Sequence, residues 1–440
     1  MEWLATNGAI PFALRTNIAV IGAGYVGLPT AAVLAKFGHI VTVAENDPQR
    51  LRTLREGRSP HFEDGLEALL NEGVLQGNLV YVESASAAVG DAEVIFICVP
   101  TPQGDDGATD LSYLLAAATS MAPHLRPGAI VVIKSTVPVG TTQRLHDLMG
   151  RADVSVASNP EFLRTGTAVA ESLHPKRIVV GAEHSDVALR VASLFEKSNA
   201  PVVITNCATA ETIKYAANAF LAVRLSFSNE MSRFCERVGA DIFDLLQGLG
   251  YDHRIGFSYM QPGPGWGGSC LPKDVASLIA MSKLYNLEFS LLESAVTTND
   301  EQLNHVVMRI LSEVGTITKP VVGLWGLTFK AGTDDRRNSP AVRVAQKLLF
   351  SQIKVRAYDP TVSSGNDDDL HGIEIVGNAY SAAQGASLVV LLTEWPEFRE
   401  LDWNKVASVM AEPSIFDTRN ILNRDVLRQA SLHYSSIGTA

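Results

Sequence analysis

Residues Asn17–Ile21 (NIAVI) form a short apolar run that reads as a buried strand, and Gly22, Gly24 and Gly27 follow it at GxGxxG spacing. An apolar helical pattern then covers 28–37, and a second strand, 39–44, ends at Glu45. Glycines so placed allow a tight turn and a close approach of backbone to a pyrophosphate at the helix N-terminus. A carboxylate at the end of the second strand suits ribose hydroxyls. The triplet alone is a weak signal, and a ligand-free strand–helix turn is the bland alternative. Its place between a strand and a helix points to a Rossmann-type dinucleotide site. Glu45 would repel a 2′-phosphate, so NAD is expected over NADP, while Arg50 and Arg52 nearby oppose that preference.

Further apolar strands are expected at 94–99 and 129–133, alternating with helical segments as in a parallel α/β sheet. From 208 to 238 there is neither glycine nor proline, which predicts one amphipathic helix on the order of 45 Å long. Helical sequence continues to about 314. A second α/β unit then begins, with strands at 321–326, 354–358 and 387–392 and a helix at 341–350. The expected fold is α/β: two Rossmann-like α/β domains joined by a long central helix and a helical middle region. The expected parts are a dinucleotide-binding domain (1–205), a central helical dimerisation region (206–315) and a ligand-binding α/β domain (316–440).

A length of 440 residues fits such a division, and 46% hydrophobic with 19% charged residues is ordinary for a globular enzyme. The net charge of −11 argues against nucleic acid or an anionic membrane as the main partner. No apolar run approaches the roughly 18 residues that span a bilayer, so no membrane insertion is expected. Residues 1–15 read as a loose extension without a cationic leader. Four cysteines, at 98, 207, 235 and 270, make no CxxC pair and no metal pattern, and suggest a cytoplasmic location.

Cys270 ends the glycine-rich run GPGWGGSCLPKD, just ahead of a helix expected at 274–285. A helix N-terminus and Lys273 would both favour its thiolate, as a nucleophile requires. The bland reading, a small buried hydrophobe, suits Cys98 in an apolar strand and Cys235 on a helix face, and Cys207 beside a helix start reads as structural. Lys214 and Asn218 stand four apart on the long helix, so both face one way and could converge on one oxyanion; a solvated face is the alternative. Glu161, after an expected strand at 154–157, is a candidate general base or part of a structural turn. The segment 329–340, with Lys330 and Arg337, and Arg419 in FDTRN offer cations for a diphosphate, or form plain charged loops.

Taken together, these stretches resemble the UDP-glucose/GDP-mannose dehydrogenase family of nucleotide-sugar dehydrogenases. The resemblance runs from Asn17 to Asn420 through GAGYVGLP, CVPTP with DLSY, STVPVGTT, NPEFLR, KYAANAFLA, RIG, GGSCLPKD, FKAGTDDRRNSP, AYDP, TEW and DTRN. It implies NAD-dependent oxidation of a sugar C6 alcohol to a carboxylate, with two hydride transfers. Cys270 would capture the aldehyde as a thiohemiacetal and then carry a thioester. Glu161 would be the base for its hydrolysis and Lys214 the oxyanion donor. Asn218 and Asp274 would complete the water and proton network, and Thr136 would lie near the nicotinamide. The resemblance places Gly22, Gly24, Tyr25, Val26, Gly27, Glu45, Arg50, Thr101, Thr136 and Arg337 around the cofactor. Around a UDP-sugar it places Glu161, Phe162, Leu163, Lys214, Asn218, Tyr259, Gly267, Lys330 and Arg419, with Arg254 reaching the partner subunit's substrate. A homodimer or higher homo-oligomer is expected through the long helix.

Two departures stand out. Many relatives carry a second glutamate where this chain has Thr165, and most have aspartate where it has Glu45. Ser269 in GGSC points to a simple hexose rather than an N-acetylated sugar, and HPKRIVVG at 174–181 is similar to the UDP-glucose branch. GDP-mannose ranks second and an N-acetylated UDP-sugar third. A dinucleotide sensor would not require Cys270, Lys214, Asn218 and Glu161 all intact. A simple hydroxyacid dehydrogenase would need neither Cys270 nor a second α/β domain. Two, one or no NADH per sugar separates the three.

Overall fold

The computed structural model describes residues 15–104, 107–363 and 367–439; the expected N-terminal extension lies outside these but for Arg15. By contacts within the chain, residues up to Ala217 form one unit and those from Asn218 a second.

In the first unit, short apolar runs become strands because only a sheet covered on both faces can bury them entirely. These are β1 (Asn17–Ile21), β2 (Ile40–Ala44), β3 (Leu79–Val82), β4 (Val94–Ile97), β5 (Ile130–Ile133), β6 (Ser155–Ser158), β7 (Ile178–Ala182) and β8 (Val202–Thr205). They lie in the order β3-β2-β1-β4-β5-β6-β7-β8. Ile18 of β1 pairs with Val41 of β2 on one side and Val94 of β4 on the other, so the order reverses beside β1. Side chains alternate between faces: Ile18, Val20, Phe96 and Val132 enter one core, and Ala19, Ile21, Ile95 and Val131 the other. Each valine, isoleucine or phenylalanine among them contributes about 1.5–3 kcal/mol on burial. The sheet is parallel except for β6 against β7, which run antiparallel.

The helix at 208–238 is present as Cys207–Val238, 32 residues unbroken, with the boundary between the units inside it. Helices Ile242–Gly250, Leu271–Leu284 and Ser290–Val314 follow. The second unit then adds β9 (Val321–Trp325), β10 (Lys354–Tyr358), β11 (Glu374–Ile375), β12 (Leu388–Leu391), β13 (Ser414–Asp417) and β14 (His433–Ser436). Their order is β11-β10-β9-β12-β13-β14, all parallel. Val322, Leu324 and Val390 pack on one face, Trp325, Val389 and Leu391 on the other. Both sheets thus put a switch in strand order beside their central strand, where α/β folds bind ligands.

Two elements differ from expectation in a way that bears on chemistry. The strand expected at 94–99 stops at Ile97, and the carbonyl of Cys98 turns to floor the glycine turn. The helix expected at 274–285 begins at Leu271, because Pro272 has its φ preset for a first helical turn. Cys270 is therefore the N-cap residue itself.

Candidate active site

The glycine turn is built by β1 and the helix Gly27–Lys36. Gly22 has φ +102°, and a Cβ there would stand 2.7 Å from the Cys98 carbonyl oxygen. A Cβ on Gly27 would stand 1.8 Å from the Gly22 oxygen, so the chain itself demands both glycines. Gly24 differs: a Cβ would meet nothing within 4 Å. Packing gives no reason for its missing side chain, whereas a ligand lying over the turn does. Glu45, 6% exposed, follows β2, and its carboxylate accepts from the amides of Ala23 (3.3 Å) and Asp47 (2.9 Å). It therefore grips the turn and ends beside it. Tyr25 stacks on His61 at 4.4 Å, and the His61 Nε2 lies 3.1 Å from the Ala23 oxygen. Sequence reasoning passed over His61, for no motif in the sequence ties 61 to 25. Val26 packs against the core, Arg50 is exposed, Thr101 is buried, and Thr136 is half-buried beyond β5.

In the same unit, β6 delivers Glu161 to Lys214 of the long helix. Their Oε1 and Nζ are 2.8 Å apart, with side chains 7% and 4% exposed. The other Glu161 oxygen accepts from the Leu163 amide. Burial alone would raise the Glu161 carboxyl. The Lys214 ammonium and its hydrogen bond, the Leu163 amide and Lys134 outweigh that and hold it below the usual range. Phe162 places its ring 5.7 Å from the Lys214 ammonium and 3.7 Å from the Arg177 guanidinium. Leu163 and Thr165 are half-buried.

In the second unit, the loop before Cys270 is held by side-chain amides. Asn229 accepts from the Gly263 amide (2.9 Å), and Gln302 donates to the Gly263 carbonyl (2.9 Å). Asn299 accepts from the Trp266 amide (2.7 Å) and donates back to its carbonyl (3.0 Å). A Cβ on Gly267 would lie 2.1 Å from the Asn338 oxygen, and one on Gly268 2.8 Å from the Phe329 ring. Buried Asp274 is bonded by Asn218 Nδ2 and Lys273 Nζ, each at 2.6 Å. Lys273 thus pairs with Asp274. On the long helix, Lys214 bonds to Glu161 and Asn218 to Asp274. Burial pushes the Cys98 thiol up to about 12 and the Cys207 thiol up to about 11, so neither competes as a nucleophile.

Asp417, at the end of β13, accepts from the amides of Arg419, Asn420, Ile421 and Leu422 and so shapes the DTRN turn. Arg419 donates to the carbonyls of Leu392 (2.8 Å) and Phe329 (3.0 Å) and lies 3.2 Å from Glu394. This ties it to the loop that carries Lys330, whose Nζ lies 5.8 Å from the Phe329 ring. Arg337 forks onto Asp335 (2.9 and 2.7 Å). Arg254 is exposed on Asp252, and Tyr259 is half-buried at φ +57°.

A sheet reversing beside a glycine turn, with open space over Gly24 and a buried carboxylate at the end of β2, has the form of a dinucleotide-binding site. Residues 16–199 match the NAD binding domain of the UDP-glucose/GDP-mannose dehydrogenase family, 208–301 its central domain and 323–424 its UDP binding domain. The chain is 39% identical over 433 residues to a UDP-glucose 6-dehydrogenase of Rhizobium meliloti, covering 96% of this chain and 99% of that one. Its fold is similar to that of a UDP-glucose dehydrogenase from the archaeon Pyrobaculum islandicum (TM-score 0.88, 32% identity, 97% and 98% of the two chains). A UDP-D-ManNAc dehydrogenase from Pyrococcus horikoshii is also similar (TM-score 0.85, 28% identity, 97% and 99%). The chain belongs to the UDP-glucose/GDP-mannose dehydrogenase family and is an NAD-dependent dehydrogenase. No helix among the described residues is long and apolar enough to cross a membrane.

Proposed function

We propose that this enzyme oxidises UDP-glucose at C6 to UDP-glucuronate through a covalent bond to Cys270. The observation that carries the reading is the pair of prepared groups: a cysteine at a helix N-cap on a clamped loop, and a buried Glu161–Lys214 ion pair. Identity to UDP-glucose 6-dehydrogenases over nearly the whole chain, and Ser269 beside the nucleophile, support glucose as the sugar.

The glycine turn and Glu45 would hold NAD, which would supply the hydride acceptor for each of the two oxidations. The first leaves an aldehyde at C6. The Cys270 thiolate adds to it, forming a carbon–sulfur bond, and Lys214 donates to the oxyanion. Asn218 and Asp274 hold the proton network beside that loop. The second oxidation leaves a thioester. Glu161 takes a proton from water, whose oxygen bonds to the carbonyl carbon, and the carbon–sulfur bond breaks to return the thiolate. The balance is one alcohol, one water and two NAD giving one carboxylate, two NADH and three protons. Lys330 and Arg419 would meet the diphosphate, and Arg337 the cofactor. Two NADH per UDP-glucose is the expected count; one NADH with free aldehyde refutes the reading.

Glu161→Gln slows hydrolysis more than the first hydride transfer, so a thioester-linked protein accumulates and appears as added mass on the denatured enzyme. Slow turnover without an adduct makes Glu161 a substrate-binding residue instead.

Glu45→Gln weakens NAD and relaxes rejection of NADP together. Like charges about 4 Å apart cost on the order of 4 kcal/mol at an effective dielectric near 20, so even a fraction gives at least about a tenfold change in preference. The measurement is kcat/KM with both cofactors at one ionic strength. An unchanged ratio moves the role to Arg50 or Arg52.

A further inference from the structure

One buried lysine of the first unit has no part in that scheme. Lys134 follows β5 and is 8% exposed. Its Nζ donates to Asn159 Oδ1 at 3.1 Å and lies 5.4 and 6.0 Å from the rings of Phe195 and Phe96. Asn159 is fixed in turn by donating to the Val179 carbonyl at 2.7 Å. None of these partners carries a negative charge, yet a buried ammonium needs one nearby. Lys134 and Glu161 line one cavity of about 110 Å³, together with Phe162, Arg177 and Phe195.

The groups around Glu161 leave little choice of counter-ion. Lys214 reaches it from the long helix. The Cys98 thiol, beyond β4, is pushed up to about 12 by burial and stays neutral. Glu171, Lys176 and Arg177 line the far wall; Glu171 is paired with Arg164, and Arg177 stacks on Phe162. Burial lowers the Lys134 ammonium; the Glu161 carboxylate opposes that, and the Lys214 charge adds to it.

We propose that Lys134 is a positioning residue, the standing counter-charge that keeps Glu161 ionised when Lys214 leaves it for the substrate's oxyanion. The proposal rests on the reading of Lys214 and Glu161 given above. One ammonium cannot neutralise both anions at full strength. A buried carboxylate left alone takes up a proton and can no longer accept one from water. Lys134, tethered by Asn159 between two rings, stays where it is.

Removing a cation raises the Glu161 pKa, and the ionised form is the active one, so the acidic limb of hydrolysis moves to higher pH. Lys134→Met shifts the acidic limb of turnover upward by about one pH unit. Below that limb turnover falls about tenfold and thioester accumulates, with the first hydride transfer slowed less. Lys134→Arg restores the limb. An unmoved limb, or a uniform slowing of both steps at every pH, overturns the proposal. Should Lys134→Met not fold, Asn159→Asp offers Lys134 a competing carboxylate and has to move the limb in the same direction; an unmoved limb there overturns the proposal equally. Glu161→Gln is assayed alongside. Without a thioester in that variant the reading of the base fails. With one, and an unmoved limb in Lys134→Met, only the role of Lys134 falls.

Discussion

Cys270→Ser forms no detectable uronic acid: net oxidation falls by at least about a thousandfold, as when an enzyme loses its nucleophile. The substitution is nearly isosteric at a half-buried N-cap, so the fold and the binding of both ligands persist. A hydroxyl is far less acidic than a thiol, and the helix N-terminus lowers a pKa too little to close that gap. No other cysteine stands in. Cys98 and Cys207 are held up to about 12 and about 11 by burial, and burial raises Cys235 as well. The assay follows uronic acid and NADH separately. Uronic acid at near the native rate would refute covalent catalysis.

Lys214→Ala is expected to lose roughly a hundredfold or more in kcat, the scale of a preorganised oxyanion donor. It carries a second effect, because Glu161 stays behind without its direct partner. Breaking a buried ion pair from one side costs about 3–5 kcal/mol, less whatever Glu161 recovers by taking up a proton. The sign with pH follows from the depressed Glu161 carboxyl. In the native enzyme it contributes stability above its unfolded pKa, and that contribution is lost as pH falls through the lower folded one. The variant's deficit is therefore largest near neutrality and shrinks on acidification. Lys214→Ala combined with Glu161→Gln regains stability but not turnover, which separates the two effects. The measurements are denaturant unfolding across pH and steady-state kinetics. A change confined to KM would make Lys214 a binding residue.

Much of the fold could be read from residue order alone. β1, the glycine turn, β2 and the 32-residue helix follow from apolar runs and from where glycine and proline are absent. β3, β7, β8, β11, β13 and β14 were passed over, since strands this short lack a distinctive period. Site residues were legible as types and positions, not as pairs. Periodicity puts Lys214 and Asn218 on one helix face but cannot say that Glu161, 53 residues from Lys214, takes the first and Asp274 the second. Lys134 and the three amides around the nucleophile loop were missed for the same reason: nothing local distinguishes a buried polar side chain from an exposed one.

Those amides bear on portability. Asn299 grips Trp266 from 33 residues away and Asn229 reaches Gly263 across 34, while Gln302 holds the other side of Gly263. The run 263–274 is thus a phrase whose grammar lies elsewhere in the chain. Transplanted alone into another scaffold, it would bring the thiol without the frame that aims it. An engineer seeking to move this chemistry has to carry the long helix and its neighbour as well, and a mutational survey confined to the glycine-rich run would credit it with a rigidity it borrows.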